Sequence, residues 1–170
     1  MEKRDLYDGE RRFTGRTIYK GEDIPKGMHI LVVIIVMQNI EGKFLIQKRS
    51  INKDGKWALT GGHPKAGESS LEGIKTEVKE ELGIDIPNPT LFYTTKDEDS
   101  FCDLYYLKKD VSLKDLVLQE DEVSDAIYAT KEEIDNLFNK GIFKKSHYLV
   151  FQEYLKYAKE DKKCHVMKLK

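Results

Sequence analysis

An uninterrupted apolar stretch, HILVVIIVM at 29–37, constrains the fold more than any other part of the chain. Most of its residues are β-branched, which favours an extended strand, and no charged residue interrupts it, which indicates burial on both faces. Its longest apolar run, Ile30 to Met37, has eight residues, whereas a membrane-spanning helix needs about 20. We therefore predict a central, fully covered strand and no membrane-spanning helix.

Short strand-like and helical segments alternate along the 170 residues, a length that suits one domain. This pattern predicts a mixed α/β sandwich. Further strands are expected at 44–49, 57–60, 90–95, 100–107 and 126–130, the first of them forming a hairpin with 29–37. The predicted divisions are an N-terminal edge segment with a short strand or hairpin at 1–27, the folded domain at 28–158, and a basic, flexible tail at 159–170.

Three helices are expected. Ser69 with Glu72 forms a capping box that opens the first helix, and Gly83 ends it. A second capping box opens a helix within 130–141, and a third helix is expected at about 147–158.

Composition excludes several classes of protein. A formal net charge of −1 argues against a nucleic-acid partner bound by bulk electrostatics. Cys102 and Cys164 lie far apart, which fits a reducing cytosol better than a disulfide scaffold. The first residues contain no apolar segment, so no secretory signal is expected. Together these features predict a cytoplasmic protein.

The near-zero charge hides an acidic run from Glu68 to Asp85, with six acidic residues against two lysines. Helical spacing places Glu77, Glu80 and Glu81 on one side of the first helix, beside its apolar face. These like charges repel, and they lie toward the end of the helix where the dipole disfavours anions. Mg²⁺ or Mn²⁺ would reverse that repulsion, because both ions prefer carboxylate oxygens. The alternative is a solvated glutamate-rich face.

A glycine-containing loop precedes this helix. Gly61 and Gly62 follow a strand, and the chain continues through Gly67 and Glu68 into the helix. Glycine permits a tight backbone path, so a carbonyl or amide group there can face a metal or a phosphate.

The segment GHPKAGESSLEGIKTEVKEELGI at 62–84 resembles the Nudix box, G-x5-E-x7-R-E-U-x-E-E-x-G-U with U aliphatic. Eight of the nine defined positions match in register; the departure is Thr76, where the family has arginine. The resemblance implies a Nudix-type α/β/α sandwich with a mixed β-sheet. It also implies a metal-dependent hydrolase of a diphosphate linked to another group.

The resemblance also implies roles for individual residues. Glu77, Glu80 and Glu81 would hold Mg²⁺, with Mn²⁺ as an alternative ion and a backbone carbonyl from the Gly61–Gly62 turn as a further ligand. Glu77, or an acid from a later loop, would orient or deprotonate the attacking water, and Glu68 would brace the loop. The family's arginine pairs with glutamates of the box, a role that Thr76 is not expected to fill.

Segments outside the box, at 5–17, 28–33, 44–50 and 57–63, resemble hydrolases related to isopentenyl-diphosphate isomerase. His29 and His63 stand where that isomerase places metal-binding histidines, so they either brace the site by hydrogen bonds or form a second metal site. Gly61 stands where the isomerase needs a cysteine, and Ser100 occupies a key position of its later acidic ligands. Both departures argue against isomerisation.

Other candidates lie near the box in the expected fold. Arg49 and Lys48 end a strand and are candidates for binding substrate phosphate. Glu120 and Glu122 resemble a later acidic segment that lends a metal ligand or base in Nudix proteins. Trp57 is expected in the core. The tyrosines at 93, 105 and 128 either belong to the core or stack on a base.

The sequence thus predicts a Mg²⁺-dependent hydrolase that cleaves the diphosphate linkage of a small nucleoside-diphosphate-type metabolite. Its substrate-binding residues would be Arg49, Lys48, Gly61 and Gly62. The alternatives are an isopentenyl-diphosphate isomerase-like isomerase and a diphosphate-binding module that has lost turnover. A homodimer is a further option, since dimers are common in the family.

Overall fold

The predicted central strand is β3, Ile30–Gln38, and nearly all of it is buried. It runs parallel to β8, Ser100–Lys108, through nine residue pairs. Along β3, Val33 and Ile35 belong to one core cluster, while Ile34 between them belongs to the other. Because successive side chains of a strand point to opposite faces, β3 lies between two separate cores. The prediction of burial on both faces is confirmed.

The computed structural model describes residues 1–168. The other strands are β1 Lys3–Tyr7, β2 Phe13–Tyr19, β4 Phe44–Arg49, β5 Trp57–Ala58, β6 Thr60–Gly62, β7 Thr90–Lys96 and β9 Val123–Ala129. The main sheet has the order β5-β4-β3-β8-β7, with β6 also paired to β3 and β9 to β4. Its parallel and antiparallel pairs make it a mixed sheet, as predicted.

The expected hairpin between β3 and β4 is present at its turn end alone. The two strands pair at Met37–Leu45 and Gln38–Phe44. Strand β4 pairs with β9 along its whole length. Beyond the two pairs with β3, its other edge pairs with β5, and the short strand β6 takes the place beside β3. The predicted strand at 57–60 is therefore two short strands that serve different neighbours.

Helix α1, Ser70–Leu82, has the predicted limits. Ser69 and Glu72 form a complete capping box, and Gly83 adopts the left-handed conformation with φ of 73°. The buried apolar residues of this helix pack in the core cluster that contains Val33 and Ile35. The helix therefore covers one face of the sheet, and its glutamates lie at the edge of this contact.

The other face of the sheet is covered by α2, Lys131–Asn139, and α3, Lys145–Lys168. Helix α3 extends ten residues beyond its predicted end, because the segment expected to fray after Ala158 is helical up to Lys168. That segment contains no glycine or proline and is rich in good helix formers, which explains why the helix continues. The last two residues of the predicted tail lie outside the described residues.

The N-terminal segment forms the expected hairpin, β1 with β2, as a separate two-stranded sheet. Leu6 is fully buried. At the turn, Arg11 binds both carboxylate oxygens of the buried Asp103. These contacts dock the hairpin on the main domain. None of the helices within residues 1–168 is long and apolar enough to cross a membrane.

Gly61 and Gly62 were expected in a loop, and that expectation is wrong. Both residues belong to β6, and they pair with Ile34 and Val33 of β3. Neither residue has a positive φ. A Cβ on Gly61 would lie 2.9 Å from Ile34 Cα and closer still to the Val33 carbonyl oxygen. Close packing, rather than a tight turn, requires glycine here.

We expect Gly61→Ala to destabilise the protein by roughly 1–3 kcal/mol, because backbone atoms of β3 must move to accept the new methyl group. Gly9→Ala is the matched control, since a Cβ there would meet its nearest neighbour at an ordinary 3.6 Å. Chemical denaturation of both variants measures the effect. Equal stability of the two variants would contradict this packing argument.

Candidate active site

A cavity of about 260 Å³ opens where β6, α1, the end of β4 and the N-terminal hairpin meet. Acidic and basic side chains dominate its wall. The lining residues are Glu2, Arg4, Lys20, Val32, Ile34, Arg49, Lys53, Gly61, Gly62, His63, Glu77, Glu80, Glu81, Gln119, Glu122, Lys144 and His147. All three glutamates predicted to hold a metal therefore line the same cavity.

Glu77 lies against the backbone of β6. Its Oε1 accepts a hydrogen bond of 3.0 Å from the backbone N–H of His63. A Cβ on Gly62 would lie 2.5 Å from both carboxylate oxygens of Glu77. The missing side chain of Gly62 therefore creates the space that the Glu77 carboxylate occupies, which is the structural reason for the second glycine.

Glu81 is buried and held by a chain of hydrogen bonds. Gln47 Nε2 donates to Glu81 Oε2 at 2.7 Å, and Thr60 Oγ1 donates to Gln47 Oε1 at 2.8 Å. Sequence reasoning missed Gln47. Its signal was available, since it lies two residues before Arg49 on the same face of β4.

Burial, and then the charge of neighbouring Glu81, raises the pKa of Glu77 to about 7. Burial also raises the pKa of Glu81 to about 7, against the opposing effect of its hydrogen bond from Gln47. Ionisation of both carboxyl groups is therefore unfavourable. A cation bound beside them would stabilise their charged forms.

Glu80, the third carboxylate, is 42% exposed and forms an ion pair with Lys65. Within residues 1–168, no three histidine, cysteine or acidic side chains already converge on one metal position. The donor set nevertheless fits Mg²⁺, because Glu77, Glu80 and Glu81 present carboxylate oxygens to one cavity. Ligation by Glu80 requires its exposed side chain to leave Lys65.

Glu68 lies outside the cavity. Its carboxylate accepts hydrogen bonds from Lys65 N–H at 2.9 Å and from Thr76 Oγ1 at 2.7 Å. The expectation that Thr76 could not pair with a glutamate of the box is therefore wrong for Glu68. A single hydroxyl donor replaces the planar fork of an arginine, and Glu68 is positioned to hold the loop in front of α1.

The two basic residues at the end of β4 differ in position. Arg49 lines the cavity and donates from Nε to Asp54 Oδ1 at 2.8 Å. Lys48 is exposed and does not line the cavity, so its prediction as a binding residue here is not supported by its position. Strand alternation explains the difference, because adjacent residues point to opposite faces.

The two histidines do not share the cavity. His63 lines it, and burial followed by the charges of Arg4, Lys20 and Lys144 lowers its pKa to about 4. The buried His29 packs its ring against Phe101, with centroids 4.9 Å apart. The expected bracing by His63 comes from its backbone N–H rather than its ring.

The later acidic segment contributes one residue to the cavity. Glu122 lines it and forms an ion pair of 2.9 Å with Lys53. Glu120 lies away from it, beside a separate surface depression.

The aromatic candidates do not line the cavity. Tyr105 and Tyr128 pack in or against the core cluster on the α1 side, and Trp57 packs against the opposite one. Tyr93 is exposed on β7.

Cations from outside the box were the largest omission of sequence reasoning. Arg4 and Lys20 come from the N-terminal hairpin, and Lys144 directly precedes α3. They lie far from the box in sequence and reach the cavity through tertiary packing alone. With Arg49 and Lys53 they place five basic side chains around the glutamates.

The chain belongs to the Nudix family: the family model described as the NUDIX domain matches residues 28–151. The chain is 39% identical over 149 residues to the Nudix hydrolase lmo0368 of Listeria monocytogenes, covering 84% of this chain and 88% of that protein. It is accordingly a hydrolase that acts on phosphorus-containing acid anhydrides.

Solved structures show the same fold. DR0079 from Deinococcus radiodurans has a TM-score of 0.71 at 21% identity, covering 89% of this chain and 98% of its own. The NUDIX domain of Shewanella oneidensis NrtR, crystallised with ADP ribose, has a TM-score of 0.60 at 18% identity. That match covers 78% of this chain and 88% of the NrtR chain.

His147 makes stability depend on pH. Its Nδ1 lies 3.0 Å from the Leu59 carbonyl oxygen, and burial lowers the pKa of the ring to about 3. The unfolded chain binds a proton near pH 6.5, so stability present above that pH is lost as pH falls toward the folded pKa. Between about pH 7 and about pH 5, we expect the wild type to lose roughly 2 kcal/mol more than His147→Gln.

Denaturation curves at both pH values measure this difference. His165→Gln is the control, because His165 is exposed on α3. An identical loss of stability in wild type and His147→Gln would contradict a neutral buried ring.

Proposed function

We propose that this protein cleaves the diphosphate linkage of a small nucleoside-diphosphate-type metabolite with the help of Mg²⁺, Mn²⁺ being an alternative. The observation that carries the proposal is the convergence of Glu77, Glu80, Glu81 and Glu122 on one cavity ringed by five cations. Carboxylates suit a divalent metal, and arginine and lysine suit phosphate oxygens. A substrate with several negatively charged phosphate oxygens would bind both the metal held by the glutamates and the surrounding arginine and lysine side chains.

In this proposal Glu77, Glu80 and Glu81 hold the metal, which when bound neutralises phosphate charge and polarises the bond that breaks. Glu77, whose carboxylate lines the cavity, takes the proton of the attacking water. The water oxygen bonds to one phosphorus, and the bridging oxygen leaves with the other phosphate. Glu68 keeps the loop before α1 in place.

On the substrate side, Arg49 binds phosphate oxygens beside the backbone of Gly61 and Gly62, and Lys53 adds a positive charge. Nothing in the position of Lys48 assigns it to this group. ADP-ribose is a reasonable first substrate, since the NUDIX domain of Shewanella oneidensis NrtR was crystallised with it.

The isomerase alternative gains no support. Its two candidate metal histidines do not share the cavity, since the His29 ring packs on Phe101. The subgroup resemblance to isopentenyl-diphosphate isomerase-like hydrolases stays a prediction. The departure at Thr76 does not by itself favour a module without turnover, because Thr76 donates a hydrogen bond to Glu68.

A panel of nucleoside-diphosphate derivatives that includes ADP-ribose tests the reaction. We expect products that carry a terminal phosphate when Mg²⁺ is present, and no products when a chelator removes it. Glu80→Gln and Glu81→Gln should lower kcat by roughly 100-fold or more, because each removes a charged metal ligand. Glu132→Gln is the control, since Glu132 is exposed in the first turn of α2.

Full activity in both glutamine variants would reject the assigned roles. Isopentenyl diphosphate in the same panel should give no allylic product, and its isomerisation would restore the rejected alternative. Binding of the panel without turnover would favour the module.

The melting temperature should also depend on the charge of the cavity glutamates, in the absence of any substrate. Burial of ionised Glu81 near Glu77 is unfavourable, so in chelator above neutral pH we expect Glu81→Gln to melt about 3 °C or more above the wild type. Mg²⁺ should raise the Tm of the wild type and have little effect on the variant. A scanning fluorimetry series with and without Mg²⁺ measures both; equal responses to Mg²⁺ would remove Glu81 from the metal site.

A further inference from the structure

One wall of the cavity comes from outside the segment matched by the family model, which begins at residue 28. In the N-terminal hairpin, Arg4 pairs with Ile18, and Lys20 N–H donates to the Glu2 carbonyl at 2.9 Å. Strand alternation then places Glu2, Arg4 and Lys20 on one face of the hairpin. All three side chains line the cavity.

Among the cavity cations in the part of the chain that the structure describes, Arg4 has a buried side-chain nitrogen without a hydrogen-bond partner. This nitrogen is Nε, and the side chain is 13% exposed. By comparison, Arg49 is paired with Asp54 at 2.8 Å, and Lys53 with Glu122 at 2.9 Å. A buried guanidinium donor without a partner is costly, and its planar fork matches phosphate oxygens.

The backbone on both sides of Arg4 is fixed to the loop that precedes α1. Ala66 N–H donates to the Lys3 carbonyl at 2.8 Å, and Gly67 N–H donates to Asp5 Oδ2 at 2.9 Å. The loop that Glu68 braces therefore also holds the strand that carries Arg4. A side chain on a backbone held in this way is pre-positioned for a ligand.

Glu2 lies between the two hairpin cations and forms a long ion pair with each, without a hydrogen bond to either. Its Oε1 is 3.8 Å from Arg4 Nε, and its Oε2 is 3.9 Å from Lys20 Nζ. Both separations exceed hydrogen-bond length. The carboxylate thus partly balances the two charges and leaves their donors free.

We propose that Arg4, assisted by Lys20, is a substrate-binding residue whose guanidinium binds a phosphate oxygen of the diphosphate-containing substrate. This assignment rests on the proposed function, in which the cavity receives a diphosphate. Glu2 then competes with the substrate, because its carboxylate interacts with the two cations when no phosphate is bound. The hairpin supplies recognition, whereas α1 supplies the groups that act on the scissile bond.

Binding can be measured without turnover by calorimetric titration with methylenediphosphonate, a non-hydrolysable diphosphate, in the presence of Mg²⁺. We expect Arg4→Met to weaken binding by roughly 10- to 100-fold, since a charge-assisted hydrogen bond to phosphate is lost. Arg4→Lys should fall between that variant and the wild type. Arg16→Met is the matched control, because Arg16 is an exposed residue of β2 that does not line the cavity.

Glu2→Gln should have the opposite effect and tighten binding, since the competing charge is removed. Unchanged affinity in Arg4→Met, or weaker binding in Glu2→Gln, would overturn the proposal.

A melting experiment separates recognition from a structural role. Because the Nε of Arg4 is buried without a hydrogen-bond partner, Arg4→Met should melt at or above the wild-type Tm in the absence of ligand. A Tm lower by several degrees, together with weaker binding, would assign Arg4 to the packing of the hairpin instead.

Kinetics on the best substrate of the panel connects the site to the reaction. We expect Arg4→Met to raise KM more than it lowers kcat. Weaker inhibition by orthophosphate with unchanged KM would indicate a free-phosphate site and overturn the proposal. The two proposals can fail separately. If the wild type hydrolyses none of the substrates but Arg4→Met still loses methylenediphosphonate binding, the recognition site is supported and the proposed hydrolysis is rejected.

Discussion

Two carboxylates one turn apart on α1, the half-buried Glu77 and the buried Glu81, govern the architecture around the cavity. Glu77 and Glu81 are held there by a backbone N–H, a glutamine and the close approach of β6. Packing alone would favour neutral residues at these positions. A cation bound beside the two carboxylates would offset this cost. Strand β6 makes room for Glu77, and β4 supplies the hydrogen bond to Glu81.

Local patterns in the sequence predicted the parts of the fold that depend on local chemistry. The continuous apolar run of β3 and the capping box at Ser69 follow from residue types a few positions apart. The three glutamates follow from helical spacing and from the register of the box. Each of these inferences needs only the period of one secondary-structure element.

The remaining features depend on partners distant in sequence. Gln47 donates a hydrogen bond to Glu81, and the hydroxyl of Thr76 donates one to Glu68 across the loop. The roles of Gly61 and Gly62 depend on what lies opposite them, namely the backbone of β3 and a carboxylate. Arg4 joins the cavity because the hairpin docks beside α1, and no periodicity within residues 1–27 reports that docking.

The cavity is built from two parts with different tolerance to change. A side chain larger than hydrogen at Gly62 would displace the Glu77 carboxylate, so that part of the wall is sterically closed. The face of the hairpin holds its charges at the tips of long side chains and is attached through backbone hydrogen bonds. Substitutions on the hairpin face can therefore change the charge of the cavity wall without altering the steric contact between Gly62 and Glu77.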